Sequence, residues 1–356
     1  MSNKQFKNYI CTVPFKNIEL HDKLRVLCCA TWLPTFLPEN KPLEQTWNSE
    51  QANKIRDSIL DGSYKFCDSL HCPYLHELKH VGPKGNLGPL VAKSNIDGKT
   101  KKMLDDYKSG KLKPTIIQFS FDRTCNLECP SCRVKLFTAS KKKITEVKLT
   151  IQEIEEKFGD SVETLYITGS GDPFISVGFR DFLRNFDSRK WPVLKMIRLH
   201  TNATYWTPKM WDSMKNVHRY VTRAEISIDA ATKDTYENKT RIGGDWNKLL
   251  DNLKFISTIT TLKSIKPSFV VQQKNYKEMK LFYDLMLSIF GKKADVYYGK
   301  ITNWGTFTED QFKKEQVWSP EHPEFNDFVQ QVNKTLPAKQ AWHNLHEFIS
   351  KGKNLI

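Results

Sequence analysis

From Thr115 onward the sequence alternates short strand-like runs with longer amphipathic stretches, and this alternation constrains the fold more than any other feature. The runs are Ile116–Phe121, Thr164–Thr168, Met196–Thr201, Glu225–Asp229, Ser268–Gln272 and Asp295–Ile301. They are short and rich in β-branched or aromatic residues, as buried parallel strands are. Helical stripes lie between them. Phe179, Phe182, Leu183 and Phe186 form one, and Trp246, Leu249, Leu250, Leu253 and Ile256 form another. Such stripes face a core by default. Thr150 and Glu153 have capping-box spacing ahead of IQEIEEKF, which would stop at Gly159. Six strand–helix alternations imply an α/β chain with a parallel sheet and helices outside it. An open, six-stranded partial barrel fits, with a doubly wound sheet as the alternative.

The remaining segments differ in character. Residues 1–80 read as a small, cysteine-rich, loop-rich unit with one predicted helix from Ser49 to Leu60, capped by Ser49 and followed by Gly62. Residues 81–114 carry GPKGNLGPL and SNIDGKTKK and read as a linker. Residues 115–308 hold the alternating pattern, and 309–356 read as a helical extension. Hydrophobic residues at 39% and charged residues at 27% exclude wholesale disorder. No apolar run approaches the roughly 20 residues of a membrane helix, so no membrane association is expected. Met1 to Tyr9 lack an apolar signal region, so a cytoplasmic location is expected. The net charge of +15 would suit nucleic acid, an anionic membrane or an acidic substrate. The lysines are spread along the chain, which favours a solvated surface over a nucleic-acid partner.

The eight cysteines fall in two groups and none follows Cys132. In a reducing compartment, clustered thiols point to metal or iron–sulfur ligation. Cys125-Asn-Leu-Glu-Cys129-Pro-Ser-Cys132 follows a predicted strand directly. Three thiolates on a four-iron cluster leave one iron open, as catalysis requires. A zinc site completed by a distant ligand is the other reading of the spacing.

Cys-x3-Cys-x2-Cys after the first strand of such a pattern resembles the radical S-adenosylmethionine (radical SAM) superfamily. The resemblance implies an α/β fold, a partial (β/α)6 TIM-like barrel, with a [4Fe–4S] cluster whose open iron chelates SAM. Gly169, Ser170, Gly171 and Asp172 stand where the family has a Gly-Gly-Glu-Pro motif at the SAM amine, with Ser170 and Asp172 differing from it. Asn202, Ser227 and Asp229 match positions near ribose and methionine. Arg241 resembles an arginine at the SAM carboxylate, and Gln272 matches the adenine-side strand, followed by Asn275 and Glu278. The resemblance covers roughly residues 115–305.

The first group of cysteines is similar to a second module. Cys11, Cys28 or Cys29, Cys67 and Cys72, with Trp47 and Arg56 as structural positions, resemble the SPASM or twitch auxiliary module. That implies a second, auxiliary [4Fe–4S] cluster, with a four-cysteine zinc knuckle as the alternative. The resemblance as a whole implies reductive cleavage of SAM to a 5′-deoxyadenosyl radical that abstracts hydrogen from a substrate. The substrate would be a peptide or small molecule, and the reductant a flavodoxin or ferredoxin. The sequence identifies no substrate-acting catalytic residue. The competing class is a non-catalytic iron–sulfur or zinc protein that binds nucleic acid through its basic surface.

Overall fold

The computed structural model describes residues 4–22, 24–28, 33–37, 41–69, 72–80, 82–83 and 87–335. Cys29 and the last part of the expected extension, 336–356, lie outside them. The chain divides into two compact units. Residues 1–122, 145–170 and 187–195 form the first, and residues 123–144, 171–186 and 196–356 form the second.

The first unit contains strands β1 (Tyr9–Cys11), β2 (Asn17–His21), β3 (Arg25–Val26), β4 (Phe36–Leu37), β5 (Leu90–Ala92), β6 (Ile116–Ser120) and β7 (Thr164–Ile167). The two expected strands β6 and β7 are present and parallel, with Ile116 opposite Thr164. The sequence reading did not anticipate β2. It runs parallel to β6 with Asn17 opposite Ile116 and His21 opposite Ser120. Antiparallel β3 and then β4 follow outward from β2. The cysteine-rich segment therefore contributes a parallel strand to the sheet that β6 and β7 begin. Ile18 and Leu20 are fully buried, while Asn17, Glu19 and His21 alternate with them on the other face.

The segment expected as a linker is structured. Leu90–Ala92 pairs antiparallel with β1, and Gly98–Lys108 is a helix capped by Asp97. The helix Glu50–Leu60 forms as predicted, with the Ser49 hydroxyl accepting from Ala52 N. Arg56 from this helix is completely buried. It donates to the carbonyls of Pro14 and Trp47 at 2.9 and 2.8 Å and lies 4.2 Å from the Trp47 ring centroid. Burial lowers its pKa to about 10. Trp47 in turn donates to Leu112 O at 2.8 Å. The capping box at Thr150 does not form. The helix begins earlier, at Lys141, and runs to Phe158, because Val147, Ile151, Ile154 and Phe158 continue one buried stripe. Thr150 donates back to Glu146 O, and Glu153 accepts from Leu43 N.

The second unit contains β8 (Met196–Thr201), β9 (Val221–Ser227), β10 (Ser264–Val271) and β11 (Tyr297–Lys300), joined in parallel in that order. Phe179, Phe182, Leu183, Leu249, Leu253 and Ile256 are buried, as their spacing predicts. All six expected parallel strands are thus present, each followed by helical segments. The fold class is α/β, an open partial (β/α)6 TIM-like barrel. Among the described residues no helix is long and apolar enough to cross a membrane.

Candidate functional site

In the second unit, Cys125, Cys129 and Cys132 share a tight loop. Cys132 N and Arg133 N both donate to Cys129 O, at 2.9 and 3.1 Å, and Cys125 N donates to Phe137 O. Each sulfur has one nitrogen donor beside it. Asn202 Nδ2 lies 3.6 Å from Cys125 Sγ, Arg241 Nη1 3.4 Å from Cys129 Sγ, and Arg133 Nη2 3.4 Å from Cys132 Sγ. Burial pushes the Cys125 thiol up to about 11, and it raises Cys129 as well. Without a metal the Cys125 and Cys129 sulfurs would stay protonated; a metal ionises bound thiols outright. Two guanidinium groups and an amide at the sulfurs suit a group that carries negative charge.

Arg241 ends the short turn after β9 and is held by Asp229 at 2.6 Å. Burial alone would lower its pKa; the Asp229 carboxylate and the Cys129 sulfur outweigh this and push it up. Asp229 has φ +59, a left-handed conformation that costs energy outside glycine. Its neighbours fix it there. Asp229 Oδ1 accepts from Val270 N at 2.7 Å, and Asn275 Nδ2 donates to Asp229 O at 2.9 Å. Gly244 is required nearby, since an added Cβ would collide with the Tyr236 ring and stand 2.9 Å from Arg241 O. Arg241 Nε and Tyr236 Oη are buried without a hydrogen-bond partner. Buried donors are normally satisfied, so these two fit a polar ligand.

Asp172, at the motif position expected near the SAM amine, is engaged by the protein itself. It is 1% exposed, Oδ2 accepts from Thr201 Oγ1 and Asn202 N, and Oδ1 accepts from Phe174 N. Burial raises its pKa against these hydrogen bonds. It holds the end of β8, and through it Asn202, beside Cys125. Ser227 meets His200 Nε2 at 2.9 Å, and Gln272 is buried with its backbone N on Asn275 Oδ1. Glu278 accepts from Ala231, Thr232 and Thr235 and organises the turn after β9. Gly169 and Ser170 lie in the first unit. Ser170 Oγ donates to Ser120 O at 2.5 Å, and a Cβ on Gly169 would stand 2.9 Å from Gln118 Nε2 and Ser120 Oγ.

Several site residues escaped the sequence reading. Arg133, next to Cys132, is one. A charged row across β8, β9 and β10 is another. His200 opposes Glu225, which opposes Lys266, and Arg198 pairs with Glu225. Burial lowers the His200 pKa. Glu225 is lowered because His200, Lys266 and Arg198 outweigh its burial. Strand alternation alone would have put these residues on one face.

In the first unit Cys11, Cys28, Cys67 and Cys72 line one cavity of about 190 Å³. Cys11 ends β1, and Cys72 precedes the helix Pro73–His80. Tyr64, at φ +50, closes the turn into Cys67 and donates its hydroxyl to Tyr9 O at 3.0 Å. Burial pushes the Cys11 thiol well up. Among the described residues no three cysteine, histidine or acidic side chains are arranged to hold a single metal ion.

Residues 119–261 match the model of the Radical SAM superfamily. The chain carries a radical SAM domain over these residues. A comparison with curated protein sequences returned no match. Among solved structures, Streptococcus suis SuiB bound to S-adenosylmethionine is similar at 14% identity and TM-score 0.45, over 69% of this chain and 53% of that one. SuiB bound to its precursor peptide SuiA aligns at 14% identity and TM-score 0.46, over 78% and 63%. HydG, the FeFe-hydrogenase maturase from Carboxydothermus hydrogenoformans, aligns at 10% identity and TM-score 0.38, over 72% and 62%. The chain thus spans just over half to under two thirds of the length of these proteins.

Proposed function

We propose that this chain cleaves SAM reductively at a [4Fe–4S] cluster held by Cys125, Cys129 and Cys132, and that it acts on a peptide or small-molecule substrate. The observation that carries this reading is the placing of one nitrogen donor on each of the three sulfurs, beside two buried donors that lack a protein partner. When bound, the cluster and SAM supply a one-electron cleavage of the C5′–S bond, and the adenosyl carbon then takes a hydrogen atom from substrate. Arg241 binds the SAM carboxylate and is oriented by Asp229. Asn202 and Ser227 approach the ribose, Gln272 the adenine, and Gly171 the amine. Gly169 and Ser170 keep the amine-side role their motif gives them. Asp172 positions Asn202. A one-electron reductant is required from outside.

Cys11, Cys28, Cys67 and Cys72 hold an auxiliary [4Fe–4S] cluster in this reading, within a module at residues 1–80. Cys28 lines the cavity, and Cys29, outside the described residues, is the alternative fourth thiol. A zinc ion would draw four sulfurs to about 2.3 Å from one point; thiols spread around a cavity suit a larger group. The test is anaerobic reconstitution with iron and sulfide, followed by reductant and SAM. 5′-Deoxyadenosine should form with the wild type and be absent with Cys129→Ala. Wild-type yield in that variant would overturn the reading. Deuterium transfer from labelled candidates into 5′-deoxyadenosine would identify the substrate.

A further inference from the structure

The parallel strands of the second unit are sealed on one face and open on the other. Leu199, Ala224, Ile226 and Ile265 are buried. The residues that alternate with them are charged or polar: Arg198 and His200 on β8, Arg223, Glu225 and Ser227 on β9, and Lys266 on β10. The side chains of Arg198, His200, Glu225 and Lys266 stay 16 to 36% exposed. Arg223 is exposed although β9 lies between β8 and β10. Parallel sheets normally bury both faces. Arg198 and Arg223 sit opposite each other, and like charges on neighbouring strands repel. Ion pairs on a half-open face add little stability. Stability therefore does not account for this row, whereas a charged ligand does.

The row carries a surplus of positive charge. Glu225 is paired with Arg198, and its Oε2 also lies 4.0 Å from Lys266 Nζ. His200 Nε2 is 4.0 Å from Glu225 Oε1. Two permanent cations and an imidazole thus share one carboxylate, and Arg223 adds a third cation. Asp295 is the other acid within electrostatic reach, and burial raises its pKa against the pull of Lys266, Arg198 and Arg223. Its Oδ1 is buried without a hydrogen-bond partner. Three cations against two carboxylates leave room for one more anion. Lys266 is held with Nζ 4.2 Å from the Tyr297 ring centroid, which fixes an ammonium group in place.

The row adjoins the cysteine site. His200 lies two residues before Asn202, the neighbour of the Cys125 sulfur, and Arg241 is among the charges that act on it. Ser227, which meets His200, lies two residues before Asp229. Two residues of strand span about 7 Å. A molecule anchored at the row therefore reaches the residues around the cysteines with only a few carbon atoms between.

We propose that Arg198 and Lys266 bind an anionic group of the substrate, a carboxylate or a phosphate, with Glu225 orienting the two cations. This rests on the reading that SAM is cleaved beside Arg241. Arg198 offers a planar fork that suits either oxyanion, and Lys266 offers a point charge. Glu225 also competes with the incoming anion for both.

The test uses the reconstituted full chain with SAM, at physiological salt. Succinate and inorganic phosphate are the probes, succinamide is the uncharged control, and dissociation constants are read by ligand-observed NMR. Arg198→Met and Lys266→Met should each weaken binding of at least one anion about tenfold, the loss of one charged hydrogen-bonding partner. Arg198→Lys should recover part of it, and succinamide should not bind. Glu225→Gln should tighten the same anion several-fold. A misfolded variant cannot gain affinity, so this gain separates recognition from a structural ion pair. A response of succinate points to a carboxylate substrate, and a response of phosphate to a phosphate ester. The proposal falls if neither anion responds to Arg198→Met, if succinamide binds as tightly, or if Glu225→Gln weakens binding as Arg198→Met does. An equal loss in the surface variant Lys142→Gln would assign the binding to net charge and overturn it too. A wild type that forms no 5′-deoxyadenosine from SAM would overturn the underlying reading, while the anion constants still judge Arg198 and Lys266.

Discussion

The two groups of cysteines differ in what surrounds them. Around Cys125, Cys129 and Cys132 the nearest polar neighbours are two guanidinium groups and an amide, each aimed at a sulfur. Around Cys11, Cys28, Cys67 and Cys72 the wall is mostly apolar, with Val13, Pro14, Ile59 and Leu75 among its residues. The first environment offers fixed positive charge to a group whose own charge changes. The second would enclose a bound group largely in hydrocarbon. Hydrogen bonds to sulfur and burial are separate controls on an iron–sulfur centre, and each group of cysteines emphasises one of them.

The largest effect expected from this contrast is in iron content. Wild type should carry about eight irons, from two four-iron clusters. With Cys125, Cys129 and Cys132 all changed to Ala, SAM cleavage should vanish while about four irons remain. Adding Cys67→Ala and Cys72→Ala should bring iron near zero and open residues 1–80 to proteases, because metal binding there is folding energy. Stoichiometric zinc in the triple variant would make the first site structural and end the comparison.

A smaller effect separates the two in potential. Arg133→Met removes a cationic donor from Cys132, so the reduced state of that cluster should become about tenfold less favourable, or about 59 mV lower for one electron. Arg133→Lys should recover part of it. An EPR-monitored titration measures this, and an unchanged midpoint would remove Arg133 from the tuning of the site. The smallest effect should come from Tyr64→Phe, which removes the hydroxyl bond to Tyr9 O beside the other cavity. It should cost about 1 kcal/mol in urea unfolding. The midpoint of the Cys125 cluster should not move; a shift there would mean that the two environments are not independent.

Much of this was legible in the sequence because it is written in local periodicity. Each of the six strands and the Phe179 and Trp246 stripes follows from patterning within a few residues. So does the cysteine loop, whose spacing is its own signal. What was missed depends on pairing across long separations. The Asn-Ile-Glu-Leu-His run of β2 is too short to announce itself, and only its register with β6 shows that it is a sheet strand. The Thr150 capping box failed because local capping chemistry lost to a longer helix that begins at Lys141 and buries a stripe from Val147 to Phe158. The motif likewise could not show that Asp172 accepts from the Thr201 hydroxyl and from the backbone of Asn202 and Phe174.

The parallel pairing of β2 with β6 has a consequence for the order of events during synthesis. Asn17 and its partner Ile116 are separated by nearly a hundred residues. At about 5–20 residues per second, the ribosome takes roughly 5–20 s to make the partner after β2 emerges. During that interval β2 has left the tunnel while its parallel partner does not yet exist. Loop closure over such a separation is slow as well as late. Completion of the sheet around β2 is thus timed by translation of β6.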